Sequence, residues 1–449
     1  MPAPDVSPPS GTRDLFPAEV LLRRRTFTAV EDAFERHGFE PFDTPAFERL
    51  EVLTGKYGEE GEQLIFRILR RGEHAASGEA DLALRYDLTV PLARVVARYG
   101  SQLPMPFKRY QIASVWRADR PGRGRFREFT QCDIDIVGSA SLVADASVVL
   151  AIVDALAALG LEGTTVHLND RDVLHGLVAA YGIPEELANS ALTALDKLAK
   201  IGPDGVATEL AGRGVAADAV AQLHADLTAT DPDAAIVARV GTDARGREGL
   251  GRIAELLALL PEGSGADVVH DPVLARGLGY YTGTVFEVTL PALEASIAGG
   301  GRYDGLVGMF GAEAVPAVGG SLVLERILLI LAEQAAGRAG EGSGPVEPGP
   351  DVLATVLDPA DAADVLAVAG RLRVAGISVD VFAGEGRMKK QFRHADRRRA
   401  RFVLVRGDTE RAAASVTLKE LATGEQTTVL EVDAARFLRE ALADGTLQA

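Results

Sequence analysis

The stretch Phe107–Gly138, FKRYQIASVWRADRPGRGRFREFTQCDIDIVG, decides how this chain is read. Its two ends, Phe107 to Trp116 and Phe129 to Val137, are rich in β-branched and aromatic residues and predict a pair of strands. The middle is a loop of Gly and Arg, so the pair is a hairpin with a long tip. That tip carries Arg117, Arg120, Arg123, Arg125 and Arg127 within eleven residues, and Gly122 and Gly124 free its backbone to approach a ligand. Guanidinium groups at this density suit phosphates. On the returning strand the period of two places Gln131, Asp133 and Asp135 on one face and Cys132, Ile134 and Ile136 on the other. From Gln131 to Asp135 is about 13 Å along a strand, enough for both ends of a small zwitterion or for a ligand and its neighbour. An ordinary solvated hairpin has a charged rim, but that does not account for an acidic face joined to a cationic tip.

Upstream, Val20, Phe27, Val30 and Phe34 fall at helical spacing, Gly38 stops the helix, and Phe39 to Phe47, with two prolines, continues as extended chain. Downstream, from about Asn169 to Gly265, Ala- and Leu-rich helical patterns with Gly and Asp breaks replace the strand signals, which resume at Thr284. Residues 169–265 therefore read as a helical insertion into an α+β body covering 1–334. The stretch 335–350, AAGRAGEGSGPVEPGP, has no periodic apolar signal and predicts a linker. Beyond it, Asp351–Leu357 reads as a strand, Pro359–Ala375 as a helix capped by Asp358, Ile377–Phe382 as a strand, Met388–Arg398 as a helix and Phe402–Val405 as a strand. Such alternation predicts a compact α/β domain over 351–449.

A length of 449 residues fits two or three domains. Lys and Arg number 47 against 64 Asp and Glu, and the resulting charge of −17 by itself argues against nucleic-acid binding. The segment Arg387–Phe402, RMKKQFRHADRRRARF, reverses that locally, with eight Lys or Arg and one acid, Asp396. Lys389, Lys390 and Arg393 interleaved with Phe392 suit an RNA strand, held by phosphate contacts and stacking. The single cysteine, Cys132, excludes an internal disulfide and fits a reducing cytoplasm. Met1–Asp14 has no apolar core, and the greasy run Val148–Leu161 is broken by Asp154 and too short to span a bilayer, so a soluble cytoplasmic protein with no membrane contact is expected. The seven histidines show no metal-ligand spacing, and neither a P-loop nor a Gly-x-Ser-x-Gly elbow is present. No resident metal site is expected.

Two further clusters complete the pattern: Leu274–Glu287, LARGLGYYTGTVFE, and Gly299–Leu306, GGGRYDGL. Together with the hairpin they resemble the histidyl-tRNA synthetases, a family of class II aminoacyl-tRNA synthetases, and the resemblance runs from about Gly11 into the C-terminal domain. Motif 1 is similar to the Val20 helix and the strand containing Pro45, which in the family builds a homodimer interface. Motif 2 resembles Phe107–Gly138, and motif 3 resembles Pro316–Leu328, PAVGGSLVLERIL. The implied fold is an antiparallel-sheet catalytic domain with a helical insertion, followed by an α/β anticodon-binding domain. The implied substrates are L-histidine, ATP with Mg²⁺, and tRNA.

Carried over residue by residue, the resemblance places Asp87, Leu88 and Thr89, in LRYDLTVP, beside histidine, with Asp87, Thr89 and Gln131 at its ammonium group. Asp135 faces the bound amino acid, and Tyr280 and Tyr281 enclose its imidazole. A site that hydrogen-bonds an imidazole leaves its own polar groups unpaired when an isostere enters, which gives selection. Arg117 and Arg276 would hold the α-phosphate from two sides, and both also border the histidine site. Adenylation by in-line attack needs positioning and charge, with no protein nucleophile. Asp119 would lie near the adenine amine, Phe129 would stack on the base, and Glu325 and Arg326 would serve the nucleotide, Arg326 at its terminal phosphates. Arg120, Arg123 and Arg125 would meet the acceptor end of tRNA, and Lys389, Lys390 and Arg393 its other end. Two positions depart from the family: Val323 replaces a motif 3 glycine, and Gly279 replaces the aspartate of RGLDYY. Two rival readings belong to the same fold, a regulatory subunit of histidine biosynthesis and a paralogue that adenylates or senses an amino acid without charging tRNA. The former lacks an anticodon domain, and the retained Arg117, Arg276 and Arg326 favour the synthetase.

Overall fold

The computed structural model describes residues 4–444 except 73–76, 262, 264, 276–278, 292, 312 and 339–348. The chain divides into two units, Met1–Arg338 and Ala339–Ala449. The strands of the first are β1 (Glu40–Pro41), β2 (Phe47–Arg49), β3 (Arg67–Leu69), β4 (Ala80–Leu84), β5 (Phe107–Trp116), β6 (Glu128–Val137), β7 (Thr165–Asp170), β8 (Asp267–His270), β9 (Thr284–Leu290), β10 (Leu293–Arg302) and β11 (Ala317–Val323). Eight of them form one sheet in the order β1-β5-β6-β11-β10-β9-β7-β8, antiparallel except for the outer pairs β1–β5 and β7–β8. β2, β4 and β3 make a small antiparallel sheet.

The hairpin has the expected strands, and its alternation decides where the core lies. Cys132, Ile134 and Ile136 are buried on one face of β6, together with Val30 and Phe34 of helix Pro17–Arg36, Ile152 and Leu156 of helix Leu142–Ala158, and Ile327 of helix Leu324–Arg338. Each such side chain contributes about 1.5–3 kcal/mol on burial. The first of these helices begins with Pro17, whose missing N–H costs nothing there, and the Glu19 carboxylate accepts the Phe16 N–H at 3.2 Å. It ends before Gly38, which takes φ +77°. The opposite face of the sheet is left for the polar residues of β6.

The insertion is six helices between Arg171 and Leu259, with a core of its own around Leu174, Leu177, Leu192 and Leu223. Its limits are narrower than the sequence reading of 169–265. Asn169 and Asp170 end β7, and strands resume at β8 rather than at Thr284. The four residues of β8, DVVH, are too few to show alternation, and they pair in parallel with β7 at the sheet edge. The linker reading of 335–350 also changes at its start, because helix Leu324–Arg338 continues through Ala335 to Arg338. Residues 339–348 of that stretch lie outside the described residues.

The second unit holds β12 (Val352–Ala354), β13 (Val379–Val381), β14 (Phe402–Val405), β15 (Ser415–Glu420) and β16 (Gln426–Leu430), ordered β13-β12-β14-β15-β16. Its three leading strands are parallel, as the β–α alternation requires, and β15 and β16 add an antiparallel edge that the sequence reading did not contain. Asp358 does cap, accepting the Ala360 N–H at 2.8 Å, but the turn it starts is a 3₁₀ helix, Pro359–Asp361, ahead of the α-helix Ala362–Val374.

Candidate active site

The polar face of β6 gains its meaning from its two neighbours. Cross-strand register aligns Arg109, Asp135 and Gly319 in one row, Gln111, Asp133 and Ser321 in the next, and Ala113, Gln131 and Val323 in the third. Above these rows opens a cavity of about 140 Å³. Its lining includes Asp87, Thr89, Arg117, Phe129, Gln131, Asp135, Tyr280 and Tyr281. Eight residues singled out from sequence thus share one cavity, although they come from three separate stretches of chain.

Asp87 sits at the start of helix Thr89–Tyr99, where its Oδ1 accepts the Val90 N–H and the Tyr57 hydroxyl, both at 3.0 Å, while Oδ2 lies 3.4 Å from the Tyr280 hydroxyl. Helix cap and cavity wall are the same carboxylate. Burial pushes its carboxyl up, and the Val90 N–H, the Arg117 charge and the two hydroxyls pull it back without fully offsetting that. Burial, followed by the Asp87 charge, holds the Tyr57 and Tyr280 phenols well above their ordinary value, so both remain donors. Arg117 is fixed by Nε donation to the Tyr86 carbonyl at 3.0 Å, with its guanidinium 4.3 Å from the Tyr86 ring and 5.1 Å from the Phe129 ring. The Tyr280 ring meets Tyr281 and Tyr303 edge-on at 5.2 and 6.0 Å.

Three contributors were not found from sequence, and a fourth, Asp133, was placed on the polar face of its strand without a role. Tyr57 and Tyr303 hold Asp87 and Asp135 respectively. Asp133 lines the cavity between Gln131 and Asp135, and Arg109 lies wholly buried beside Asp135, its Nη2 2.7 Å from Oδ2. Hairpin register was the available signal for Arg109, since counting outward from the tip pairs it with Asp135.

Other predicted residues lie elsewhere. Leu88 is buried and offers its carbonyl to Arg109 at 3.1 Å, leaving Asp87 and Thr89 at the cavity. Asp119 is not a lining residue; its Oδ1 accepts from Arg125 at 2.9 Å. Glu325 turns away to bind Arg13 at 2.6 Å and Arg23 at 2.9 Å, because helix Leu324–Arg338 starts there and carries it toward helix Pro17–Arg36. Arg326 donates to the Ser296 carbonyl at 2.5 Å and passes beside Gly124 of the hairpin tip. Arg120 is exposed, and Arg123 pairs with Glu333. Arg276 lies outside the described residues. In the second unit Lys389, Lys390 and Arg393 are exposed on helix Met388–Arg397. Gly279 is exposed and off the cavity lining, whereas Val323 lines it. Among the described residues no three His, Cys, Asp or Glu side chains gather to hold a metal ion.

Asp133 gives a pH dependence. Burial lifts its carboxyl to about 7, with Arg109 pulling it down and Asp135 pushing it up. Its ordinary value is 3.8, so between these limits the folded chain holds a proton that the unfolded chain has lost. The stabilisation is complete below the lower limit and lost as pH rises through the upper one. Asp133→Asn should therefore gain stability relative to the unaltered protein between pH 4.5 and 7.5, by up to about 4 kcal/mol at roughly 1.4 kcal/mol per pH unit. Urea unfolding across that range measures it, and a difference that stays constant with pH would refute the assignment.

A glycine seam forms the far wall. Gly299 and Gly301 of β10 pair with Ser321 and Gly319 of β11, and Gly299, Gly319 and Gly320 line the cavity. A Cβ on Gly300 would fall inside the Gly319 carbonyl and within 2.6 Å of Gly320 Cα, and one on Gly319 would fall on the Asp135 carboxylate. The strands approach this closely only because neither carries a side chain.

Comparison with known proteins identifies the family. The model of the histidyl-tRNA synthetase family matches residues 11–327, and that of an anticodon binding domain matches 353–441. A histidine–tRNA ligase of Christiangramia forsetii is 38% identical over 93% of this chain and 96% of its own length. One of Gloeobacter violaceus is 39% identical over 93% and 94%. The crystal structure of histidyl-tRNA synthetase from Nostoc sp. PCC 7120 superposes with a TM-score of 0.77 at 30% identity, covering 98% of this chain and all of that one. A Bacillus halodurans protein described as an ATP phosphoribosyltransferase regulatory subunit/histidyl-tRNA synthetase shares the fold at 21% identity and a TM-score of 0.69. With a family match spanning most of its length and relatives matched nearly end to end, the chain belongs to the histidyl-tRNA synthetase family.

Proposed function

We propose that the cavity activates L-histidine with ATP and that the enzyme then transfers the histidyl group to the 3′ end of its tRNA, as a histidine–tRNA ligase. The observation that carries this reading is one cavity lined by a carboxylate for an ammonium group, Asp87, a second for an imidazole, Asp135, and a clamped guanidinium, Arg117, for a phosphate. In the first step a histidine carboxylate oxygen attacks the α-phosphorus of ATP and pyrophosphate leaves. In the second, a ribose hydroxyl of tRNA attacks the acyl carbon and AMP leaves. Asp87, Thr89 and Gln131 orient the ammonium group, Asp135 and Tyr281 face the imidazole, and Arg117 meets charge developing on the α-phosphate. We assign Arg276 to the same phosphate from the other side, and Phe129 to the adenine ring. Arg326 stands at the hairpin tip for the terminal phosphates. Asp119 and Glu325 then act by holding Arg125, and Arg13 with Arg23, in place. Mg²⁺ enters with ATP as the counter-ion of its phosphates.

For tRNA, Arg120, Arg123 and Arg125 would serve the acceptor end, and Lys389, Lys390 and Arg393 the anticodon side. The unit after the linker would be the anticodon-binding domain, and helix Pro17–Arg36 with its following strand would form the contact of a homodimer. No described helix is long and apolar enough to cross a membrane, and the site of action proposed is the cytoplasm. The anticodon-domain match over residues 353–441 sets aside the regulatory-subunit reading. The test is histidine-dependent exchange of pyrophosphate into ATP, followed by charging of histidine tRNA, with other amino acids as controls. Both reactions are expected with histidine alone. Exchange without charging would return the chain to a paralogue that only adenylates.

A further inference from the structure

Arg109 is fully buried on β5, one strand in from the sheet edge, yet it lines no part of the cavity. Its Nη2 donates to the Leu88 carbonyl at 3.1 Å and stands 2.7 Å from Asp135 Oδ2. Its Nε and Nη1 are buried without a hydrogen-bond partner among the described residues. A guanidinium placed so deep is costly unless a nearby negative charge repays it. Three buried carboxylates face this region: Asp135 itself, Asp133 on the same strand, and Asp87 ahead of helix Thr89–Tyr99. The other groups around the pair are few. The Tyr303 hydroxyl, following β10, donates to Asp135 Oδ1; β11 brings only Ser321 and glycines; and Arg85 is felt by Asp133. Arg117, the remaining cation of the cavity among the described residues, lies on the Asp87 side, fixed to Tyr86.

We propose that Arg109, which touches no substrate, is the positioning residue for histidine selection: from beside Asp135 on the same face of the sheet it keeps that carboxylate ionised and aimed into the cavity, so that Asp135 accepts the imidazole N–H. This rests on reading the cavity as the histidine site. The logic is electrostatic. A carboxylate at full burial with one hydroxyl donor and no cation takes up a proton, and a protonated carboxyl can no longer offer both oxygens as acceptors. Asp133, next along the strand, competes for the same cation, and burial pushes both carboxyls up, with Arg109 pulling each of them back in part. One guanidinium cannot neutralise both, and the 2.7 Å contact assigns its charge to Asp135.

The test uses the full-length chain and histidine-dependent pyrophosphate exchange between pH 6.5 and 8.5, with Arg109→Gln and Arg109→Lys beside the unaltered protein. The ratio of variant to unaltered KM cancels the titrations of histidine and ATP themselves. For Arg109→Gln the KM for histidine should rise about 10- to 100-fold at pH 7, the loss typical of a charged hydrogen bond, while the KM for ATP stays within about 2-fold. That ratio should shrink at least several-fold as pH rises to 8.5, because the orphaned Asp135 then loses its proton. Arg109→Lys keeps the charge and should remain nearer the unaltered enzyme at every pH. A ratio that is raised but independent of pH means that Arg109 is merely structural, and an unchanged KM means that Asp135 needs no counter-ion; either overturns the proposal alone. If Arg109→Gln does not fold, Arg109→Lys decides, since its weaker single-point contact must show the same pH trend at smaller amplitude. Absence of histidine-dependent exchange in the unaltered protein overturns the reading of the site, and this proposal with it.

Discussion

Arg117→Ala should lower kcat/KM for histidine-dependent pyrophosphate exchange by about a thousandfold, with most of the loss in kcat. A preorganised charge aimed at a developing oxyanion is worth about 3–4 kcal/mol in mutational tests. Arg117 has the preorganisation. Its Nε is tied to the Tyr86 carbonyl, its plane lies between Tyr86 and Phe129, and Nη2 reaches toward Gln131 Oε1 at 3.5 Å. Arg117→Lys should recover little, because an ammonium group has neither the planar fork nor the stacking surface that hold this side chain still. Because Arg117 is only partly buried, both variants should unfold within about 1 kcal/mol of the unaltered protein. A rise in KM with kcat intact would show that Arg117 binds substrate and transition state equally, which would remove it from the chemistry.

Gly300→Ala should cost about 3 kcal/mol of stability or more in the first unit, at the upper end of what overpacking does in a rigid core. The added methyl has nowhere to go. It meets the backbone of β11 at Gly319 and Gly320 and the Phe286 ring at 2.7 Å, and backbone cannot rotate aside as a side chain can. Calorimetry should show the transition of the first unit moving down while that of the second stays put. Soluble variant should also lose histidine affinity, since any separation of β10 from β11 displaces Gly319 and with it the support of Asp135. An unaltered melting transition would mean that the two strands are less tightly apposed than described.

Much of this was legible in the sequence, for reasons that particular residues make clear. Strand alternation in β6 separated Cys132, Ile134 and Ile136 from Gln131, Asp133 and Asp135, and the structure places the first set in the core and the second around the cavity. The grouping of Asp87, Tyr280 and Tyr281 with the hairpin came from resemblance, as no local pattern joins residues nearly two hundred positions apart. Arg109 was missed because an arginine in a strand ordinarily reads as a solvent-facing residue, and only its register partner reveals otherwise. Tyr303, within GGGRYDGL, was hidden by glycines that draw attention to loops, although here they belong to β10. β8 and β16 were invisible because the first is short and the second carries exposed polar residues, and pairing at sheet edges holds them in place.

The glycine seam also limits how the amino-acid pocket can be re-engineered. Pockets are usually widened by trimming a wall residue to something smaller, but Gly299, Gly319 and Gly320 already present bare backbone to the cavity. That wall can be thickened and never thinned. Bulkier unnatural amino acids would have to gain room at Tyr280, Tyr281, Val323 or Thr89, each of which also supports another part of the site or borders it. Libraries aimed at altered substrate scope should therefore leave the glycines of β10 and β11 untouched and vary the tyrosine pair and Val323, the residue facing Gln131 across the strand.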